Sequence, residues 1–182
     1  MPLRRTGRRV FRTFPHPHPM DHPSAPGATA LDVDLYDQPG HLIRRAQQIA
    51  VSMFHDTLGR EVTPVQYAVL RMLHECPGLD QVTLAQRVAL DTSTTADIAV
   101  RLEAKGWILR EVLPRRQRRL VLTPAGEALM AGLIPAVNAL QHGLLDSMGP
   151  DDARELLRLL RKFVHLNNGQ SRAPLRTGGE TA

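Results

Sequence analysis

Four consecutive hydroxyl residues, Thr92-Ser93-Thr94-Thr95, and four arginines within five positions, Arg115, Arg116, Arg118 and Arg119, carry side chains suited to recognising a polyanion. A hydroxyl donates or accepts, so such a run at the start of a helix can meet the edge of any base in a nucleic-acid groove. Guanidinium groups pair with phosphate oxygens, often through two bonds at once. A cluster of four repels itself unless a polyanion lies against it. Asp97, two residues beyond the hydroxyls, brings the opposite charge. It either accepts from a cytosine amine or pairs along the helix with Arg101, four residues on. Arg101 is itself a further candidate for a phosphate contact.

To act together, the hydroxyl run must open a helix and the arginines must sit on a projecting loop. Residues 80–123 supply both. A short apolar-periodic segment holding Leu84, Ala85 and Val88 stops at Ala89-Leu90, and the next begins at Asp91. That second segment puts Ile98, Ala99 and Leu102 on one face and ends at Lys105-Gly106, a basic last turn followed by glycine. Residues 107–113 and 118–122 are rich in apolar and β-branched types and flank Pro114-Arg115-Arg116-Gln117, which reads as a β-hairpin with a basic tip. Two short helices, a tight turn and a basic hairpin make a winged helix.

The order of motifs resembles the MarR (multiple antibiotic resistance regulator) family. It runs T-P-x-Q-Y-x-V-L at 63–70, Leu84-Ala85, L-D-x-S-T at 90–94, R-L-E-x-K-G at 101–106, Arg118-Arg119 and L-T-P-A-G at 122–126, so the likeness covers about 39–167. The resemblance implies a regulator that binds a pseudo-palindromic duplex as a homodimer, interlocked through its terminal helices. Thr92, Ser93, Thr94, Thr95, Arg101, Arg115, Arg116, Arg118 and Arg119 would then form the DNA-contacting set. Where the family has Asp-Arg-Arg in the wing, its Asp holding the wing arginine, this chain has Gln117-Arg118-Arg119.

On either side of this core the sequence predicts more helix. The first runs from Gln38-Pro39 to Leu58, with Leu42, Ala46, Ile49 and Met53 as its apolar stripe and Gly59 as its stop. The second opens on Thr63-Pro64-Val65-Gln66, a capping box with proline at the first helical position, and its stripe is Val65, Val69 and Met72. Asp80 suits the cap of the helix holding Leu84. After Thr123-Pro124 a long helix carries Leu129, Leu133, Val137, Leu140 and Leu144, with Pro135 inside it as a bend. Beyond Gly149-Pro150 a last helix, acidic at its start, reads as apolar nearly all round from Leu156 to Leu166. One small chain cannot bury so much, so a partner copy is implied. The fold class is therefore mainly α with a small β-hairpin wing, a winged helix-turn-helix in an intertwined homodimer. The expected organisation is a disordered extension over 1–34, a winged-helix domain over 35–168 and a disordered tail over 169–182. Within the domain, 35–60 and 124–168 serve dimerisation and 61–123 forms the DNA-binding lobe.

Composition narrows the class. With 182 residues, 42% hydrophobic, the chain can build its own core, and no apolar run approaches the roughly 20 residues that span a bilayer. The net charge of +5 is concentrated: Arg4, Arg5, Arg8, Arg9 and Arg12 precede Met20 with no acid among them, leaving 18 basic against 18 acidic residues. DNA affinity must then come from local clusters. The segment before Met20 lacks the apolar stretch of a secretory signal. It reads as an extension, or as a product of an upstream start with Met20 the initiator; its His16, His18 and His22 read as a flexible tract before a metal site. Cys76 is the only cysteine, so no internal disulfide forms, which fits a reducing cytoplasm. At the end of an apolar face it packs as a small hydrophobe, or, in a redox-sensing alternative, reacts.

No Gly-rich phosphate loop, paired-cysteine metal spacing or serine elbow is present, so neither an enzyme nor a metal cofactor is expected. An architectural DNA binder would need the wing but not the polar face of the first helix. That face, with His41, Arg44, Arg45 and His55, together with Tyr67, has the groups an aromatic carboxylate requires: a cation, hydrogen-bonding rings and an apolar wall from Met53, Phe54 and Trp107. The stretch GHLIRRAQQ at 40–48 resembles family members that control catabolism of hydroxycinnamates, benzoates or nicotinates. The expected ligand is a small aromatic acid, and the expected function repression relieved by it.

Overall fold

The computed structural model describes residues 34–112 and 118–176. The expected N-terminal extension, apart from Asp34, lies outside those residues, as do Arg115 and Arg116 of the hairpin tip and 177–182 of the tail. In order, the elements are α1 (Pro39–Leu58), α2 (Pro64–Glu75), β1 (Leu79–Asp80), α3 (Gln81–Arg87), α4 (Thr92–Ala104), β2 (Ile108–Val112), β3 (Arg118–Leu122), α5 (Pro124–Gly143) and α6 (Pro150–Leu166). Short 3₁₀ turns stand at Leu35–Asp37, Asp146–Met148 and Asn168–Gln170.

The start signals act as the sequence predicts. Thr63 Oγ1 accepts from the Gln66 amide while the Gln66 side chain accepts from the Thr63 amide, both at 3.2 Å. Asp80 accepts from the Val82 and Thr83 amides at 2.9 Å, and Thr123 from Gly126 at 3.0 Å. Each satisfies backbone donors that have no partner inside the helix.

The sheet has three strands rather than two. β1 adds antiparallel to β3, Leu79 opposite Leu120, and β2 pairs with β3 from Ile108–Leu122 to Val112–Arg118. Two residues of strand between a helix-stopping Pro77-Gly78 and a helix cap carry no periodicity, so the sequence conceals β1. Under this sheet lies the main core: Leu70, Leu73, Leu84, Leu102, Ile108, Leu120 and Met130 are fully buried. Each such side chain stabilises by about 1.5–3 kcal/mol relative to exposure. The core side of α2 is rotated from its expected stripe: Val65 is 43% exposed, whereas Gln66, Val69, Leu70 and Leu73 are buried. The buried positions 66, 69, 70 and 73 recur at i, i+3, i+4 and i+7, a helical face one position round from the expected stripe.

Gly126 fixes how closely α5 approaches the sheet. A Cβ there would stand 2.1 Å from the Trp107 carbonyl oxygen, so only glycine allows the helix to start against that strand. α5 then runs unbroken through Pro135 and packs against α1 in a second, smaller core of Phe54, Val137 and Leu140. Over Pro124–Met148 this region is long and apolar enough, at a mean hydropathy of 1.3, to cross a membrane by composition alone. That exceeds what the sequence reading allowed for.

Two corrections concern the ends. α6 is amphipathic rather than apolar all round: Leu156, Leu157, Leu159, Leu160, Phe163, Val164 and Leu166 fall on one half, and Asp151, Arg154, Glu155, Arg158, Arg161 and Lys162 on the other. None of its residues is buried. Nor does order stop at 168. Asn168 Oδ1 accepts from the Leu175 amide at 2.8 Å, its Nδ2 donates to the Leu175 carbonyl at 3.0 Å, and the Arg176 amide donates to the Gln86 carbonyl of α3 at 3.0 Å. The expected disordered tail is thus placed as far as Arg176.

Candidate functional site

The hydroxyl run stands at the first turn of α4, pinned by the N-cap residue Asp91. Asp91 accepts from the Ser93 hydroxyl at 2.5 Å, the Thr94 amide at 2.8 Å and the Thr94 hydroxyl at 2.7 Å. Those bonds, the Ser93 hydroxyl first, hold its carboxyl far below the usual carboxylate range. Asp91 therefore stays ionised and orients two of the hydroxyls. An acid directly before a hydroxyl run is itself a cap signature, which was the available signal.

The four hydroxyl residues separate into two groups. Thr92 and Ser93 are exposed and Thr94 half-buried on the outer side. Thr95 is fully buried, its hydroxyl donating to the Asp91 carbonyl at 2.9 Å, so it packs the helix against the core and does not reach a groove. Helical periodicity with Ile98, Ala99 and Leu102 already places it inside. The expected Asp97–Arg101 pair is absent: both are exposed on α4 and form no salt bridge with each other. Arg101 remains placed for an external anion. A different pair ties α4 to the wing, since Arg110 Nε donates to Glu103 Oε2 at 2.7 Å.

In the wing, Arg119 is exposed on β3 and its Nε donates to Glu111 Oε2, directly opposite on β2. A carboxylate therefore does hold a wing arginine, but from the facing strand. Only the antiparallel register of β2 on β3 brings Glu111 opposite Arg119. Arg118 continues the same strand.

On α1, Arg44 Nη2 lies 3.5 Å from His41 Nδ1. Arg44, Gln48, Val51 and Ser52 line a concavity of about 540 Å³ along α1. His55 continues this stripe. Its Nδ1 lies 3.1 Å from the Gly59 carbonyl oxygen, which can only accept, so Nδ1 is the donor there. Arg45, one position round from Arg44, does not line the concavity. Tyr67 packs against Phe54 with ring centroids 6.2 Å apart and adjoins both cores, joining the α1–α5 cluster to the lobe beneath α4. Trp107 belongs to the lobe core, with Lys105 Nζ 4.3 Å from its ring centre, and so takes no part in the apolar wall. Arg71, which the reading did not select, lies one turn from Tyr67 and donates to Glu75 at 2.5 Å; that bond, with Tyr67 contributing, raises its pKa. Cys76 is half-buried and accepts from Arg87 Nη1 at 3.1 Å.

Residues 62–120 match the model of the MarR family. Over 151 residues the chain is 28% identical to the HTH-type transcriptional repressor NicR of Pseudomonas putida, covering 80% of this chain and 96% of NicR. The PcaV transcriptional regulator of Streptomyces coelicolor, solved in complex with its natural ligand, superposes with a TM-score of 0.68 at 34% identity, covering 73% of this chain and 96% of PcaV. Bordetella bronchiseptica BpsR, whose structure addresses regulation of DNA binding by 6-hydroxynicotinic acid, does so with a TM-score of 0.68 at 28% identity, covering 73% and 98%.

Proposed function

The chain belongs to the MarR family of transcriptional regulators, and from that membership we propose that it is a repressor released by a small aromatic carboxylic acid. It reads a pseudo-palindromic operator as a homodimer. The start of each α4 enters a major groove while Arg118 and Arg119 of the wing meet the backbone beside it. Two copies place their reading heads about 34 Å apart, or a multiple of that, to match the helical repeat.

One observation carries the effector reading: a cation, an imidazole and an open concavity occur together on α1, the helix whose Phe54 packs against Tyr67, an aromatic residue that adjoins both cores. The carboxylate pairs with Arg44, its ring polar group meets His41 or His55, and the ring lies towards Phe54 and Tyr67. A ligand that shifts Tyr67 presses on the lobe from the side of α1, so half-site spacing changes and the operator is released. BpsR responding to an aromatic acid supports the ligand class, and NicR being a repressor supports the direction. Arg45, off the concavity, is the lesser candidate for the clamp.

The test is a thermal-shift screen of benzoates, nicotinates and hydroxycinnamates against their neutral amides, on wild type and Arg44→Ala. An acid present at 100 times its dissociation constant should stabilise the wild type by about 2.7 kcal/mol. Its amide and the variant should show little shift. Equal shifts from acid and amide would remove the carboxylate clamp.

A further inference from the structure

We propose that residues 171–176 form a second DNA-contacting arm, in which Arg172 and Arg176 hold phosphates flanking the site read by α4. The arm is a fixed strap. Asn168 grips both backbone groups of Leu175, the Ser171 hydroxyl accepts from the Ala173 amide at 3.2 Å, and the Arg176 amide donates to Gln86 O. Gln86 lies in the last turn of α3, where helix carbonyls lack an internal partner, so this bond satisfies a group that would otherwise face solvent.

Its position points to the ligand. Arg172 and Ala173 face Leu90, Asp91, Ser93 and Thr94 across a cleft at the first turn of α4. Arg172 and Arg176 also border the outer side of α3, with Val82 and Gln86. In a helix-turn-helix the first helix crosses the sugar-phosphate backbone while the second enters the groove. An arm strapped to α3 and reaching the start of α4 therefore runs where phosphates pass. Its charge agrees. Both arginines are exposed, neither forms a salt bridge among the described residues, and no acidic residue lies between Glu155 and Glu180. Asp91, the acid that lines the same clefts, is taken up by Ser93 and Thr94, so the two guanidinium groups are left for phosphates.

The proposal rests on α4 being the DNA reader, and the experiment separates the two. Operator binding is titrated with salt for wild type, Arg172→Ala/Arg176→Ala, the corresponding double lysine variant, a chain ended after Gln170, and Arg119→Ala as a wing control. Losing two phosphate contacts per protomer, four per dimer, should lower the slope of log K against log salt by about 3.6, so that a fourfold drop in salt gains roughly 150-fold less affinity than in the wild type. The truncation should behave alike, and the double lysine variant should restore the slope. If Arg119→Ala flattens the slope while the arm variants bind as wild type does, the arm assignment falls and the wing reading stands. Tighter binding by the truncated chain would make the segment an occluding strap and also overturn the proposal.

Discussion

At the scale of single residues, Asp91 decides how the reading head is presented. Its carboxylate takes bonds from Ser93 and Thr94, so the hydroxyls proposed to meet DNA are held by a charge rather than left to rotate. Because its folded-state pKa is depressed, ionised Asp91 stabilises the fold above its ordinary pKa, and that contribution is lost as pH falls through the lower folded value. Asp91→Asn should therefore unfold at lower denaturant than the wild type at pH 6, and the gap should narrow as pH drops below about 4. A gap constant across that range would mean that the carboxylate charge contributes nothing to the cap. Thr95 shows the opposite case. Its place in a hydroxyl run suggests a contact, but its spacing from Ile98 and Leu102 puts it in the core, and the spacing decides.

Among elements, α1 and α6 are incomplete within one chain. Leu42 and Ile49 of α1 are each 51% exposed, and every apolar residue of α6 reaches solvent. A water-facing half-cylinder of leucine, valine and phenylalanine is covered when a second copy lays its own terminal helices against it. The chain should run as a dimer at micromolar concentration in analytical ultracentrifugation. Leu160→Asp/Phe163→Asp should weaken that dimer at least roughly a hundredfold, since each buried side chain of this size is worth about 1.5–3 kcal/mol. A sedimentation coefficient unchanged by the double substitution would place the interface elsewhere. The helices and their caps were legible because capping chemistry is local: Thr63-Pro64, Asp80 and Thr123-Pro124 name their own positions. β1, the inward turn of Gln66, the Glu111–Arg119 register and the docked arm were not, because each depends on a partner distant in sequence. The family motifs mark Gln117 as standing where the family carries its wing aspartate, while in this chain Glu111 of the opposite strand bonds Arg119.

For the molecule as a whole, the consequence is that two surfaces share one mechanical connection. In the proposed account, operator contact falls to α4, the wing and the C-terminal arm, and the acid to the concavity along α1, while Tyr67 adjoins both cores. Repression released by a ligand then requires the two sites to be coupled in free energy, and such coupling is reciprocal. The most direct measurement is an isothermal titration of the screened acid into the protein with and without saturating operator, paired with operator titrations at zero and saturating acid. Saturating acid should weaken operator binding by a factor of about 5–150, and operator should weaken acid binding by the same factor. Equal acid affinity in the presence and absence of operator would contradict the account of an acid-released repressor.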